Sequence, residues 1–267
     1  MVSVVGQIFN KLFKKQKNIT IEPSSSPPKD ERKAECPYCH QALDKIPSRK
    51  TKCPHCGEFM FVRTRPKDNA RVVVTKEEAD RIEEEWAIVH GTHDIYIANK
   101  KRIEKEKETL RRKFGKEPSD NDVEWSLLNK DLINHAKRGD WGLYSNARFK
   151  MAEILYQEKR LKEALETYLE VCYLDLNGPS NLGGMRDPQL LKESDLLNEF
   201  LPFDPESGFL APGVIKRILR IINKLGLEKE ELKSEFLKHN ARIHKALKLP
   251  LSPEDSWLKI EDEIWRQ

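Results

Sequence analysis

The sequence predicts an α+β fold, predominantly α, in which a small β unit precedes an all-α helical domain. Three observations predict it. Cys36, Cys39, Cys53 and Cys56 form two C-x-x-C pairs with thirteen residues between them, a stretch too short to bury a core of its own. Residues 59–64 alternate in the strand period, and after the turn residues Arg65-Pro66-Lys67-Asp68-Asn69 the run Arg71-Val72-Val73-Val74 pairs back as a second strand. From Thr75 onward the apolar residues recur every three or four positions instead, the period of a helix that buries one stripe. The expected organisation is an amphipathic basic helix over 1–19, a flexible linker over 20–33, the β unit over 34–75 and the helical domain over 76–267.

Composition bounds the function classes. The 267 residues have room for one large or two modest domains, and the net charge of +4 selects no partner, so any electrostatic argument must be local. No apolar run approaches the length of a transmembrane span. A disulfide framework would go with secretion, but C-x-x-C pairs suit metal better and no signal peptide is visible, which favours a reducing cytoplasm. Cys172 lies in an apolar helical pattern and reads as core.

In chain order, residues 1–19 place Val5, Ile8, Phe9, Leu12 and Phe13 on one side of a helix, with Lys11, Lys14, Lys15 and Lys17 toward its end. The basic residues follow the apolar ones, opposite to the order in a secretory signal. Such a segment suits a membrane surface, where apolar burial and lysines both favour anionic lipid; the alternative is docking on the protein's own helices, or fraying. Residues 20–33 are rich in Pro and Ser and have little to bury.

The two C-x-x-C pairs put four thiolates within reach of one tetrahedral ion. Zn²⁺ suits them because it is borderline-soft, redox-inert and content with four sulfurs at roughly 2.3 Å. Pro37 and Pro54 stiffen the turns, and Gly57 lets the chain leave the second turn in a conformation disfavoured for residues with a Cβ. His40 and His55 can each displace a cysteine, but four thiolates already fill the shell. The spacing alone also admits a rubredoxin-type iron site. A thioredoxin-like centre needs a βαβ pattern that is missing, and an HNH-type nuclease needs more than the single histidine of the interval. "CPYC…CPHCG" resembles the zinc-ribbon family over residues 36–65. That resemblance implies two knuckles at the tips of β-hairpins holding one structural zinc on Cys36, Cys39, Cys53 and Cys56.

Between Asp44 and Arg71 stand eight bases and three acids, interleaved with Phe59 and Phe61. Basic groups beside aromatic faces are what single-stranded or backbone-reading nucleic-acid modules use. Arg49, Lys50, Lys52, Phe61, Arg63 and Arg65 are the candidate contacts to DNA or RNA. The other reading is that Phe59 or Phe61 fills the small core and the bases are a solvated surface.

Helical signals occupy the rest. Thr75-x-x-Glu78 is a capping box opening a helix whose inward stripe is Ala79, Ile82, Trp86 and Val89, ending near Gly91. His90 and His93 flank that glycine as a helix-end turn. Asp94 caps a long helix to about Phe114, whose Lys- and Glu-rich middle reads as a solvated face. Ser119 or Asp120 opens another, carrying Val123, Leu127, Leu128 and Leu132 and closing at Gly139. Residues 141–176, "NARFKMAEILYQEKRLKEALETYLEV" at their heart, resemble one tetratricopeptide repeat. The resemblance implies a helical hairpin with Ala152 and Ala164 at the close approach, although Lys159 stands where a turn glycine is common. Helices resume over about 212–225, 228–247 and from Ser252.

No nucleophile–base pair, carboxylate dyad or open metal position stands out, so the chain reads as non-enzymatic. The expected function is nucleic-acid engagement by the basic β unit. The alternative is a protein adaptor recognising its partner through the helical domain. The chain as a whole resembles uncharacterised bacterial and phage-associated proteins, which implies no activity.

Overall fold

The structure is a computed structural model that describes residues 35–181 and 202–265; the expected helix over 1–19 and linker over 20–33 lie outside them. Among the described residues it is mostly helical, with one three-stranded antiparallel sheet and eight helices. The chain divides into two compact units, one up to Ile97 and one from Ala98 onward.

In the first unit, strand β1 (Thr51–Lys52) pairs with β2 (Phe59–Thr64), and β2 pairs with β3 (Arg71–Val74). The sheet order is β1-β2-β3, with Thr51 opposite Met60 and Phe61 opposite Val74. Period two sends alternate side chains to opposite faces. Met60 and Val73 pack with Cys36, Cys39, Cys53 and Leu43 on one side. Phe61, Val72 and Val74 pack on the other with Ala79, Ile82 and Trp86 of helix α1 (Lys76–Val89). The sheet is thus buried by cysteines on one face and by a helix on the other.

Helix α1 opens on the expected capping box: Glu78 N–H donates to Thr75 Oγ1 and Thr75 N–H to the Glu78 carboxylate, both at 3.2 Å. Its inward stripe differs from the expectation at the end. Ala87 is buried and Val89 is exposed, while Trp86 donates its indole N–H to Thr64 O at 2.7 Å. The change of period at Thr75 marks an element boundary, and α1 shares its core with the sheet. Helix α2 (His93–Phe114) starts just before Asp94, with Tyr96 N–H donating to Thr92 O.

In the second unit, α3 (Asp120–Arg138), α4 (Trp141–Gln157), α5 (Leu161–Leu176), α6 (Pro212–Leu225), α7 (Lys229–Leu247) and α8 (Pro253–Trp265) follow. Helix α5 is the core: eleven of its residues are buried, and α4, α6, α7 and α8 pack on it. Pairs such as Ser145 with Asp175 and Arg148 with Glu170 show that α4 and α5 run antiparallel. Ala152 and Ala164 are fully buried, and Lys159 takes the left-handed conformation (φ +63°) that the tight turn demands. Cys172 is buried in the same core, which pushes its thiol pKa up. One residue of the charged run in α2 departs from a solvated face. Glu106 is buried, accepting from Ser126 Oγ at 2.6 Å and from Lys130.

Candidate metal centre and basic face

The same five-residue turn is built twice. Cys36 N–H donates to Gln41 O (2.9 Å) and His40 N–H to Cys36 O (2.9 Å); in the second copy Cys53 N–H donates to Glu58 O (2.8 Å) and Gly57 N–H to Cys53 O (3.0 Å). In each, the backbone N–H two residues on points at the first sulfur: Tyr38 to Cys36 Sγ at 3.5 Å and His55 to Cys53 Sγ at 3.4 Å. Both exits are left-handed, at Gly57 (φ +77°) as the sequence indicates and at His40 (φ +57°), which it did not flag. Aligning the two motifs would have found it, since His40 follows Cys39 as Gly57 follows Cys56.

The turns face one another and bring the four sulfurs within 4.8 Å of each other. Across the site, Cys36 Sγ lies 3.7 Å from Cys56 Sγ and Cys39 Sγ 3.8 Å from Cys53 Sγ. Four sulfurs set roughly 2.3 Å from one ion at tetrahedral corners have an edge of about 3.8 Å. A disulfide would need about 2 Å. The spacing is therefore that of a coordination shell, and the cysteine tetrad can hold a metal ion.

The electrostatics agree. Burial works against the Cys53 thiolate, but N–H donation from Cys56 and His55 outweighs it and brings its pKa down to about 6. At Cys56 the Glu58 N–H favours the thiolate, yet local desolvation beside the cluster and the neighbouring sulfurs push the pKa up to about 12. Ionising one sulfur penalises the next, as for any cluster of like charges, and a divalent cation removes that penalty. Cys36 and Cys53 are buried under Met60, whereas Cys56 is exposed.

The six basic and aromatic candidates separate into two groups. Lys50 Nζ stands 4.8 Å from the Phe59 ring centroid and 4.9 Å from that of Phe61, and Lys52 Nζ stands 5.1 Å from that of Phe59. Among the described residues no carboxylate pairs with Arg49, Lys50 or Lys52. Arg63 and Arg65 are engaged: Arg63 Nε donates to Glu83 at 2.8 Å, and Arg65 grips both oxygens of Asp68. Phe61 is half-buried under α1 and belongs to the sheet–helix core, while Phe59 is 45% exposed. The exposed aromatic on this face is thus one residue pair upstream of the one the sequence favoured.

Elsewhere His239 reaches the buried Glu170 at 3.2 Å and His244 the Tyr173 hydroxyl at 2.9 Å, so both serve the helical core. His93 contacts Glu84 at 3.1 Å, and His90 stacks on Trp86. Comparison with protein-family models, with curated proteins and with solved structures finds no match.

Proposed function

We propose that the cysteine tetrad holds one structural zinc and that the unit it rigidifies is a non-enzymatic nucleic-acid-binding module. Zinc is preferred because a Cys₄ shell satisfies its tetrahedral habit without redox chemistry and leaves no position open for a substrate. The observation that carries the binding reading is the exposed Phe59 ring under the Lys50 and Lys52 ammonium groups, which lack acidic partners among the described residues. An aromatic face offers a base a stacking surface, and adjacent cations neutralise the phosphates on either side. Arg49 adds a third cation. Arg63 and Arg65 are secondary, since each must leave a carboxylate to reach a phosphate.

Fluorescence anisotropy with a single-stranded oligonucleotide at several salt concentrations tests this. Lys50→Ala and Lys52→Ala should each flatten the salt slope by about 0.7, while Arg63→Ala and Arg65→Ala change it less, all four keeping their zinc. Absence of binding to DNA or RNA at low salt would sink the reading and leave a protein adaptor, with the helical unit, including the tetratricopeptide-like pair α4–α5, as its recognition element.

A further inference from the structure

We infer that the apolar tip formed by Ile88, Val89 and Ile95 is the docking surface for this chain's own segment 1–19. Ile88 and Val89 end α1 and Ile95 lies in the first turn of α2; they are 58, 63 and 68% exposed. The turn between them is closed by Thr92 N–H donating to Ala87 O at 2.8 Å and by the His93–Glu84 contact, so the helix ends that carry these three residues are tied to one another.

Charge selects the occupant. Helix α1 carries six acids and two bases, with Glu84 and Glu85 one turn before Ile88 and Val89, and Asp94 beside Ile95. Among the described residues neither Glu85 nor Asp94 has a cationic partner. An acidic rim opposes an anionic lipid surface, and it opposes a second copy of the same tip. Segment 1–19 is complementary on both counts: four lysines and no acid, with Val5, Ile8, Phe9, Leu12 and Phe13 at helical spacing.

The chain can reach. Residues 20–34 extend to about 50 Å, whereas a globule of the 63 residues from 35 to 97 is roughly 27 Å across. Tethering of this kind gives an effective concentration of about 1 mM, so an intrinsic Kd of about 0.3 mM would leave the segment docked some three-quarters of the time.

The test uses the full zinc-loaded chain with Phe9→p-benzoylphenylalanine as a photo-cross-linker, mapped by mass spectrometry, and hydrogen exchange of residues 84–97. A cross-link within one chain to residues 84–97 is expected. Reversing Lys11, Lys14, Lys15 and Lys17 to Glu should remove the cross-link and speed exchange at 84–97 by about fourfold. Ile88→Asp with Val89→Asp should also remove the cross-link, zinc content and helicity being unchanged. Should that pair disturb folding, the lysine reversal still decides, because it leaves the tip intact. Cross-links to other residues, cross-links between isotopically mixed copies, or exchange at 84–97 that ignores the lysine reversal would each overturn the inference.

Discussion

Phe61→Ala and Phe59→Ala should have opposite consequences, although both residues lie on β2 and share one face. Phe61 packs with Val72, Val74, Ala79 and Ile82 between sheet and helix. Truncating a fully buried Phe costs about 3–5 kcal/mol, so a half-buried one should cost about 2 kcal/mol. That corresponds to roughly a thirtyfold rise in hydrogen-exchange rate at the amides of Val72–Val74, measured in the zinc-loaded chain. Phe59, 45% exposed beneath two lysines, should cost about 0.5–1 kcal/mol of stability. Its loss should instead weaken single-stranded nucleic acid by about tenfold, the value of one stacked base. The assignment fails if Phe61→Ala leaves exchange at Val72–Val74 unchanged while abolishing binding. It fails equally if Phe59→Ala unfolds the sheet.

Two further substitutions probe local energetics. His40→Gly should raise the thermal midpoint of the first unit by an amount worth up to about 1 kcal/mol, since a left-handed residue loses its Cβ penalty, and should leave the metal content unchanged; Gly57→Ala, with open space around the added carbon, should cost about 1 kcal/mol through the backbone alone, both read by differential scanning fluorimetry. At Glu170, burial opposes the charge but His239 and Arg148 outweigh it and hold the pKa below its ordinary value near 4.5, so the stability it contributes is present above that value and is lost as pH falls through the lowered one. Urea titrations between pH 6 and 3 should therefore show an acid-side loss that Glu170→Gln flattens.

The division into a β unit and helices was legible because the hydrophobic period changes from two to three or four at Thr75. The cysteines were legible for a similar reason: C-x-x-C spacing limits sulfur positions before any tertiary contact is known. The capping box at Thr75 read directly, being local chemistry, whereas Ser119 was read as one of two possible helix starts and its box with Asp122 is seen only in the structure. What did not read was what depends on a partner across space. Val89 fits the stripe of α1 by spacing, but the buried positions end at Ala87 and Val89 is left exposed. Glu106 looks like one more solvated charge until Ser126 and Lys130 arrive from α3. Arg63 and Arg65 count as free bases in sequence and turn out engaged by Glu83 and Asp68, one of them twenty residues away. The strand pattern also placed Phe59 and Phe61 on one face without saying how far α1 extends over it.

Cys36, Cys39, Cys53 and Cys56 form a cluster that can hold a metal ion, and the central proposal is that the ion is one tetrahedral zinc. Elemental analysis of the chain, purified without chelator and quantified against its amino-acid content, tests that claim most directly. One zinc per chain is predicted, falling to none when any two of the four cysteines are replaced by serine, because a two-sulfur remnant cannot compete with buffer for the ion. Less than about half an equivalent of any metal, one equivalent of iron in place of zinc, or full zinc retained by the double serine variants would contradict it.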